Sequence, residues 1–128
     1  MTDFPLAGMR ILVIEDEPLI AMDIEELCRE HGATTVSCIR SNEEARTLDL
    51  TVVDAAIVDL IVVDGSTVAA ATLLREANVP FIFSSGHTRP GDLRDFSDIP
   101  RIDKPFSGAA LIDLLAATIQ GGKASRRP

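Results

Sequence analysis

Four short clusters in this 128-residue chain hold side chains able to do chemistry: Glu15-Asp16-Glu17, Asp59, Ser84-Ser85-Gly86 and Asp103-Lys104-Pro105. Carboxylates brought together repel one another and need a cation. Few ligands, all oxygen, suit a hard ion such as Mg²⁺ (or Mn²⁺), which keeps several of its waters. Such an ion neutralises charge on an incoming phosphoryl group, and a lysine adds a second positive clamp. One carboxylate must be able to attack phosphorus in line. Asp59 suits that role because it stands alone, and the paired acids Glu15 and Asp16 suit the ion. A hydroxyl at Ser85 could hydrogen-bond the new phosphoryl oxygens and move its loop in doing so.

Convergence of these clusters requires elements that end at one edge. Short apolar runs alternate with helical patterns along the chain, as in βα units around a parallel sheet. Arg10 to Ile14 reads as a first strand, and its Ile11-Leu12-Val13-Ile14 is an unbroken apolar run of the kind buried on both faces. Pro18 to His31 carries Ile20, Ile24, Leu27, Cys28 and His31 on one helical stripe, with Gly32 placed to end it. Ala33 to Cys38 reads as a second strand. Ser41 and Glu44 form a capping box that opens a helix running to about Leu48. Ala55 to Asp59 reads as a third strand, and Ser66 or Thr67 caps a helix that ends near Ala77. Asp64-Gly65 reads as a turn.

Phe81 to Ser84 is a fourth strand, followed from Gly86 to Pro100 by a loose stretch with a faint helical centre at Leu93 to Phe96. Arg101 to Asp103 is a short fifth strand, and Ser107 caps a last helix bearing Leu111, Leu114, Leu115 and Thr118. The expected fold is α/β: a flavodoxin-like, doubly wound (βα)5 domain with a five-stranded parallel sheet of order 2-1-3-4-5. The domain covers residues 1–121, with 122–128 as a flexible tail. In such sheets function gathers at the carboxyl ends of the strands, where all four clusters fall.

Composition narrows the classes of function. A net charge of −8 opposes nucleic-acid binding, and the one basic cluster, Lys123, Arg126 and Arg127, lies in the tail. Without Trp or Tyr, stacking on bases is poorly supported. No apolar run reaches the roughly 20 residues of a membrane helix, and no secretion signal precedes the first strand. Cys28 and Cys38 lack metal-ligand spacing and read as reduced packing residues, so the expected compartment is the cytoplasm.

Ile14-Glu15-Asp16-Glu17-Pro18, Val58-Asp59, Phe83-Ser84-Ser85-Gly86 and Lys104-Pro105-Phe106 resemble, in order and spacing, the receiver (response-regulator) family of two-component signalling. The likeness runs from about Met9 to Ile119. It implies a phosphoacceptor at Asp59, a metal site at Glu15, Asp16, Asp59 and the Ile61 backbone carbonyl, a switch hydroxyl at Ser85 and a phosphate-binding Lys104. It implies a cis peptide before Pro105. The implied phosphodonor is a histidine kinase or histidine phosphotransfer protein, and the implied output is binding of a downstream protein, from a monomer or weak homodimer. Pro80-Phe81-Ile82-Phe83-Ser84-Ser85-Gly86-His87 is similar to the signature of the FAT GUY group of single-domain receivers. Ser85 and His87 depart from that signature, and His87 borders the site where it could tune dephosphorylation. Ile61 stands where many receivers have Asn. Arg101 replaces the aromatic residue that often swings inward, which puts an aromatic relay from Ser85 in doubt.

Simpler readings compete at each position. Acids after a strand also favour a helix start, Asp59 could be a turn residue, Ser85 could satisfy loop backbone, and Lys104 could be a surface lysine. A pseudo-receiver that binds partners without phosphorylation is the alternative function. A haloacid-dehalogenase type phosphatase would need a second Asp two residues after a nucleophile at the first strand, where Pro18 follows Asp16 instead. An FMN site would need a loop rich in hydroxyls rather than acids. The expected protein is therefore not an enzyme but a phosphoacceptor that at most catalyses its own phosphorylation and dephosphorylation.

Overall fold

The computed structural model describes residues 4–86 and 91–126. Five parallel strands make the central sheet: β1 (Arg10–Ile14), β2 (Thr35–Ile39), β3 (Ala55–Asp59), β6 (Phe81–Ser85) and β7 (Arg101–Asp103). Their order is β2-β1-β3-β6-β7, the expected 2-1-3-4-5 arrangement. A small antiparallel hairpin, β4 (Ile61–Val62) with β5 (Gly65–Ser66), follows β3 directly. Its turn contains Asp64-Gly65, and Gly65 takes φ +109, which a side chain would resist. The helices are α1 (Pro18–Glu30), α2 (Asn42–Arg46), α3 (Val68–Glu76) and α4 (Gly108–Arg126).

The strands of the sheet's centre are apolar without a break because both faces are covered, and alternate residues serve opposite layers. Leu12, Ile14, Ala56 and Val58 point to one side, where Ala70, Leu74, Phe81, Phe83 and Phe96 complete a core. Ile11, Val13, Ala55 and Ile57 point to the other, against Ile24, Cys28, Leu111 and Leu115. Each fully buried Leu or Ile there stabilises the fold by roughly 2 kcal/mol.

Local signals act largely as their chemistry predicts. Glu44 N donates to Ser41 Oγ at 3.0 Å, while the Glu44 carboxylate accepts from Arg40 N at 3.0 Å. Ala110 N donates to Ser107 Oγ at 3.0 Å. Gly32 ends α1 with φ +102, and a Cβ there would stand 2.9 Å from that of Phe4. The imidazole of His31 donates from Nδ1 to the Leu27 carbonyl at 2.9 Å, a helix-end contact.

Several boundaries differ from those expected. The second strand begins at Thr35 rather than Ala33, because Ala33 N closes the end of α1 by donating to the Cys28 carbonyl at 3.0 Å. The helix after Ser41 stops at Arg46, short of Leu48. Asp49 then accepts from Thr51 N at 3.0 Å and caps a separate 3₁₀ turn, Leu50–Val52, in place of continued helix. The fourth strand extends through Ser85, and the faint helical centre near Phe96 is a 3₁₀ segment, Gly91–Phe96. The α4 backbone stays helical past Gly121-Gly122 to Arg126, within the segment read from sequence as a tail. Among the described residues no helix is long and apolar enough to cross a membrane.

Candidate functional site

The strands β1, β3, β6 and β7 end at one edge and carry the predicted side chains to it. Glu15 continues from β1, its amide paired with the Ile39 carbonyl at 2.9 Å, and is only 2% exposed. One of its carboxylate oxygens, Oε2, accepts from the Glu17 amide at 3.1 Å. Asp59 ends β3 opposite Ser84 and is 8% exposed. Lys104 follows β7, its amide donating to the Ser85 carbonyl at 2.7 Å, and the Lys104-Pro105 peptide is cis as expected.

The Lys104 ammonium joins two of these ends. Nζ donates to Glu15 Oε1 at 2.7 Å and to Asp59 Oδ2 at 3.0 Å. Burial pushes the Glu15 carboxyl up from its ordinary range, and the Lys104 hydrogen bond offsets only part of that. Burial opposes the charge on Lys104, but hydrogen bonds to Glu15 and Asp59 outweigh it and hold the ammonium above the usual lysine range.

Glu15, Asp16 and Asp59 each offer a carboxylate oxygen within 4.8 Å of the other two. The set contains hard oxygen donors and neither thiolate nor imidazole, which fits Mg²⁺ or Mn²⁺. Those are the residues that would hold such an ion.

Ser85 is brought to the same edge, but its hydroxyl is engaged with neighbours other than Asp59. Its Oγ lies 3.2 Å from the Gly86 carbonyl and 3.3 Å from Asp103 Oδ1, the two acceptors that share its one proton. Gly86 is exposed beside it, and Arg101 is exposed on β7, paired in register with Phe83. Ile61 is partly exposed in the hairpin directly after Asp59. His87 lies outside the described residues. A groove of about 720 Å³ runs beside Lys104, lined by Ile20, Ile24, Leu27, Pro105 and Phe106 together with Asp23, Glu26 and Glu30.

Two residues at this edge escaped the reading of the sequence. Thr67, expected as a helix cap, makes no side-chain cap bond; Oγ1 donates instead to the Asp59 carbonyl at 2.7 Å. Asn42, which the sequence reading did not single out, is 7% exposed and ties three segments together. Its Nδ2 donates to Asp64 Oδ1 at 3.1 Å and to the Ser66 carbonyl at 3.0 Å, and its Oδ1 accepts from Ala70 N at 3.0 Å. Only the Asp64-Gly65 turn hinted at this clamp, since the partners lie more than 20 residues apart in the chain.

No protein-family model and no curated protein matches the chain. Solved structures do. A response regulator receiver protein from Sinorhizobium medicae superimposes with a TM-score of 0.76 at 22% identity, over 90% of this chain and 97% of its own. The signal receiver domain of a modulated diguanylate cyclase from Desulfovibrio desulfuricans gives 0.81 at 20% identity, over 93% and 99%. The response regulator PhyR from Brucella abortus gives 0.76 at 28% identity over 94% of this chain, which spans 51% of that protein. By its fold, over nine-tenths or more of its length, the chain is similar to response-regulator receiver domains.

Proposed function

We propose that this chain is a phosphorylation switch in which Asp59 accepts a phosphoryl group from the phosphohistidine of a histidine kinase or histidine phosphotransfer protein. One observation carries the reading: Lys104 Nζ bridges Glu15 and Asp59 at three converging strand ends, with Asp16 completing a set of three carboxylates. A surface lysine or a solvated acidic loop has no reason to form that arrangement.

An Asp59 carboxylate oxygen attacks phosphorus as the P–N bond of the donor breaks, and the bonding pair returns to the imidazole nitrogen. Once Asp59 is an acyl phosphate, the Lys104 ammonium turns from the lost carboxylate charge to the new phosphoryl oxygens. Glu15, Asp16 and Asp59, with the Ile61 carbonyl, would hold Mg²⁺, which would supply charge neutralisation at those oxygens. Ser85 donates its hydroxyl proton to a phosphoryl oxygen, which requires it to leave the Gly86 carbonyl and Asp103. Water later cleaves the acyl phosphate to the free carboxylate and inorganic phosphate, the step whose rate His87 is proposed to tune.

The output is a population shift in the Ser85-to-Arg101 surface that alters binding of a downstream protein. The groove beside Lys104 offers the phosphodonor partner an apolar face next to the acceptor. On this reading the chain acts in the cytoplasm as a signalling domain rather than an enzyme turning over a metabolite, and neither nucleic acid nor membrane is its partner.

Incubation with a small phosphodonor, read by intact mass, tests the reading. A single Mg²⁺-dependent phosphoryl adduct, absent in Asp59→Asn, is the expected result. A folded protein that takes no adduct from small donors or from histidine kinases would instead favour a phosphorylation-independent binding module.

A further inference from the structure

We propose that Thr67 is a positioning residue for Asp59, its buried hydroxyl setting the direction of the strand end that carries the attacking carboxylate. The inference deepens the phosphoacceptor reading and rests on it.

Thr67 is completely buried. Its Oγ1 lies 2.7 Å from the Asp59 carbonyl oxygen and 3.2 Å from that of Leu60, and its own N–H donates to the Leu60 carbonyl at 3.0 Å. These carbonyls stand where the sheet runs out. The β3 pairing with β6 ends at Asp59 and Ser84, and Leu60 N makes the last contact, to the Ser84 carbonyl at 3.1 Å. Among the described residues the β3–β6 ladder goes no further, so a buried carbonyl there is met from elsewhere in the chain.

A threonine at a helix start ordinarily turns its oxygen to the helix amides as an acceptor. Thr67 makes no such bond. A hydroxyl carries one proton, and the shorter contact commits it to the Asp59 carbonyl. The helix start that bears Thr67 is itself held from behind. Asn42 grips the Ser66 carbonyl and the Ala70 amide, both at 3.0 Å. Thr67 therefore presents a fixed donor, and the backbone of Asp59 must conform to it. In-line attack tolerates little angular error: a misplacement of about 1 Å can cost on the order of 100-fold in rate.

Thr67→Val keeps the shape and deletes the donor, whereas Thr67→Ser keeps the donor and deletes a methyl group. Mg²⁺ affinity by calorimetry and the initial rate of adduct formation by intact mass are measured well below each variant's unfolding temperature. Because one net hydrogen bond is at stake, Thr67→Val should weaken Mg²⁺ binding and slow adduct formation by about 3- to 10-fold each. Thr67→Ser should stay within about twofold of wild type on the same basis. A hydroxyl with a merely structural role would lower the unfolding temperature of Thr67→Val and leave both quantities unchanged in the folded protein, which overturns the inference. Equal losses in the two variants would assign the effect to the methyl group and overturn it as well. A wild type that takes no phosphoryl group defeats the phosphoacceptor reading and this inference together; a working wild type with an unaffected Thr67→Val defeats the inference alone.

Discussion

The Ser85 hydroxyl lies between two acceptors, 3.2 Å from the Gly86 carbonyl and 3.3 Å from the Asp103 carboxylate, the latter across two strands that pair Ser85 and Asp103 in register. The group expected to meet a phosphoryl oxygen is thus already occupied, and its partner adds negative charge next to Lys104. Both features resist phosphorylation. Asp103→Ala should release Ser85 and speed adduct formation from a small phosphodonor by roughly fivefold, the worth of about one hydrogen bond. Intact-mass time courses check this, with Ser85→Ala in the same background removing the gain. No change in rate would mean that the Asp103 contact does not hold the switch.

Lys104 separates two carboxylates that face one another at the sheet edge. Replacing it with Met leaves Glu15 buried beside Asp59 with no countercharge. Breaking a buried pair in this way costs about 3–5 kcal/mol, and the partial exposure of Lys104 argues for the lower end. The loss should also depend on pH. Glu15 binds its proton more tightly folded than unfolded, so its contribution to stability is favourable in acid and is lost as pH rises through its raised folded pKa. Without the lysine that pKa rises further, so Lys104→Met should be destabilised more at pH 7 than at pH 5. In wild type the Lys104 contribution is complete at neutral pH and is lost only in alkali, as pH climbs through its raised value. Urea unfolding of both proteins at the two pH values is the measurement.

The hairpin after Asp59 hangs on Asn42 and Asp64. Asp64 accepts from the amides of Asn42 and Glu43 at 2.9 and 3.1 Å, and the Asn42 amide foremost pulls its carboxyl below the ordinary range. Asn42→Ala strands the Ser66 carbonyl and Ala70 amide and should cost about 2 kcal/mol by denaturant midpoint. Asp64 has the opposite sign to Glu15. Its support is present above the unfolded pKa and is lost as pH falls through the depressed one. Asp64→Asn should therefore lessen the loss of stability that wild type shows on acidification below about pH 4, the range where aspartate titrates.

The two cysteines should react unequally. Burial pushes the Cys28 thiol up to about 12, and Cys38 is raised too, by partial burial and then by Glu25. Brief alkylation at pH 7.5 should label the exposed Cys38 first, more slowly than free cysteine, and spare Cys28 until the protein unfolds. Peptide masses before and after denaturation show the order.

Much of this protein was legible in one dimension because its signals are local. Apolar runs marked β1 and β3, since a strand buried on both faces admits no polar interruption in its middle. The Ser41–Glu44 box and Ser107 marked helix starts within a single turn of backbone. The acids, the hydroxyl and the lysine each fall at a strand's carboxyl end, so the alternation of elements alone placed them on one edge. What the tertiary structure decided is which of those groups touch. Lys104 could have lain in solvent, and its choice of Glu15 and Asp59, 89 and 45 residues away, depends on strand order and on burial that makes an unpaired charge costly. The placement of Thr67 beneath Asp59, and of Asn42 behind it, has the same origin: a sheet that ends inside the protein leaves polar backbone to be met by whichever side chain the fold brings there.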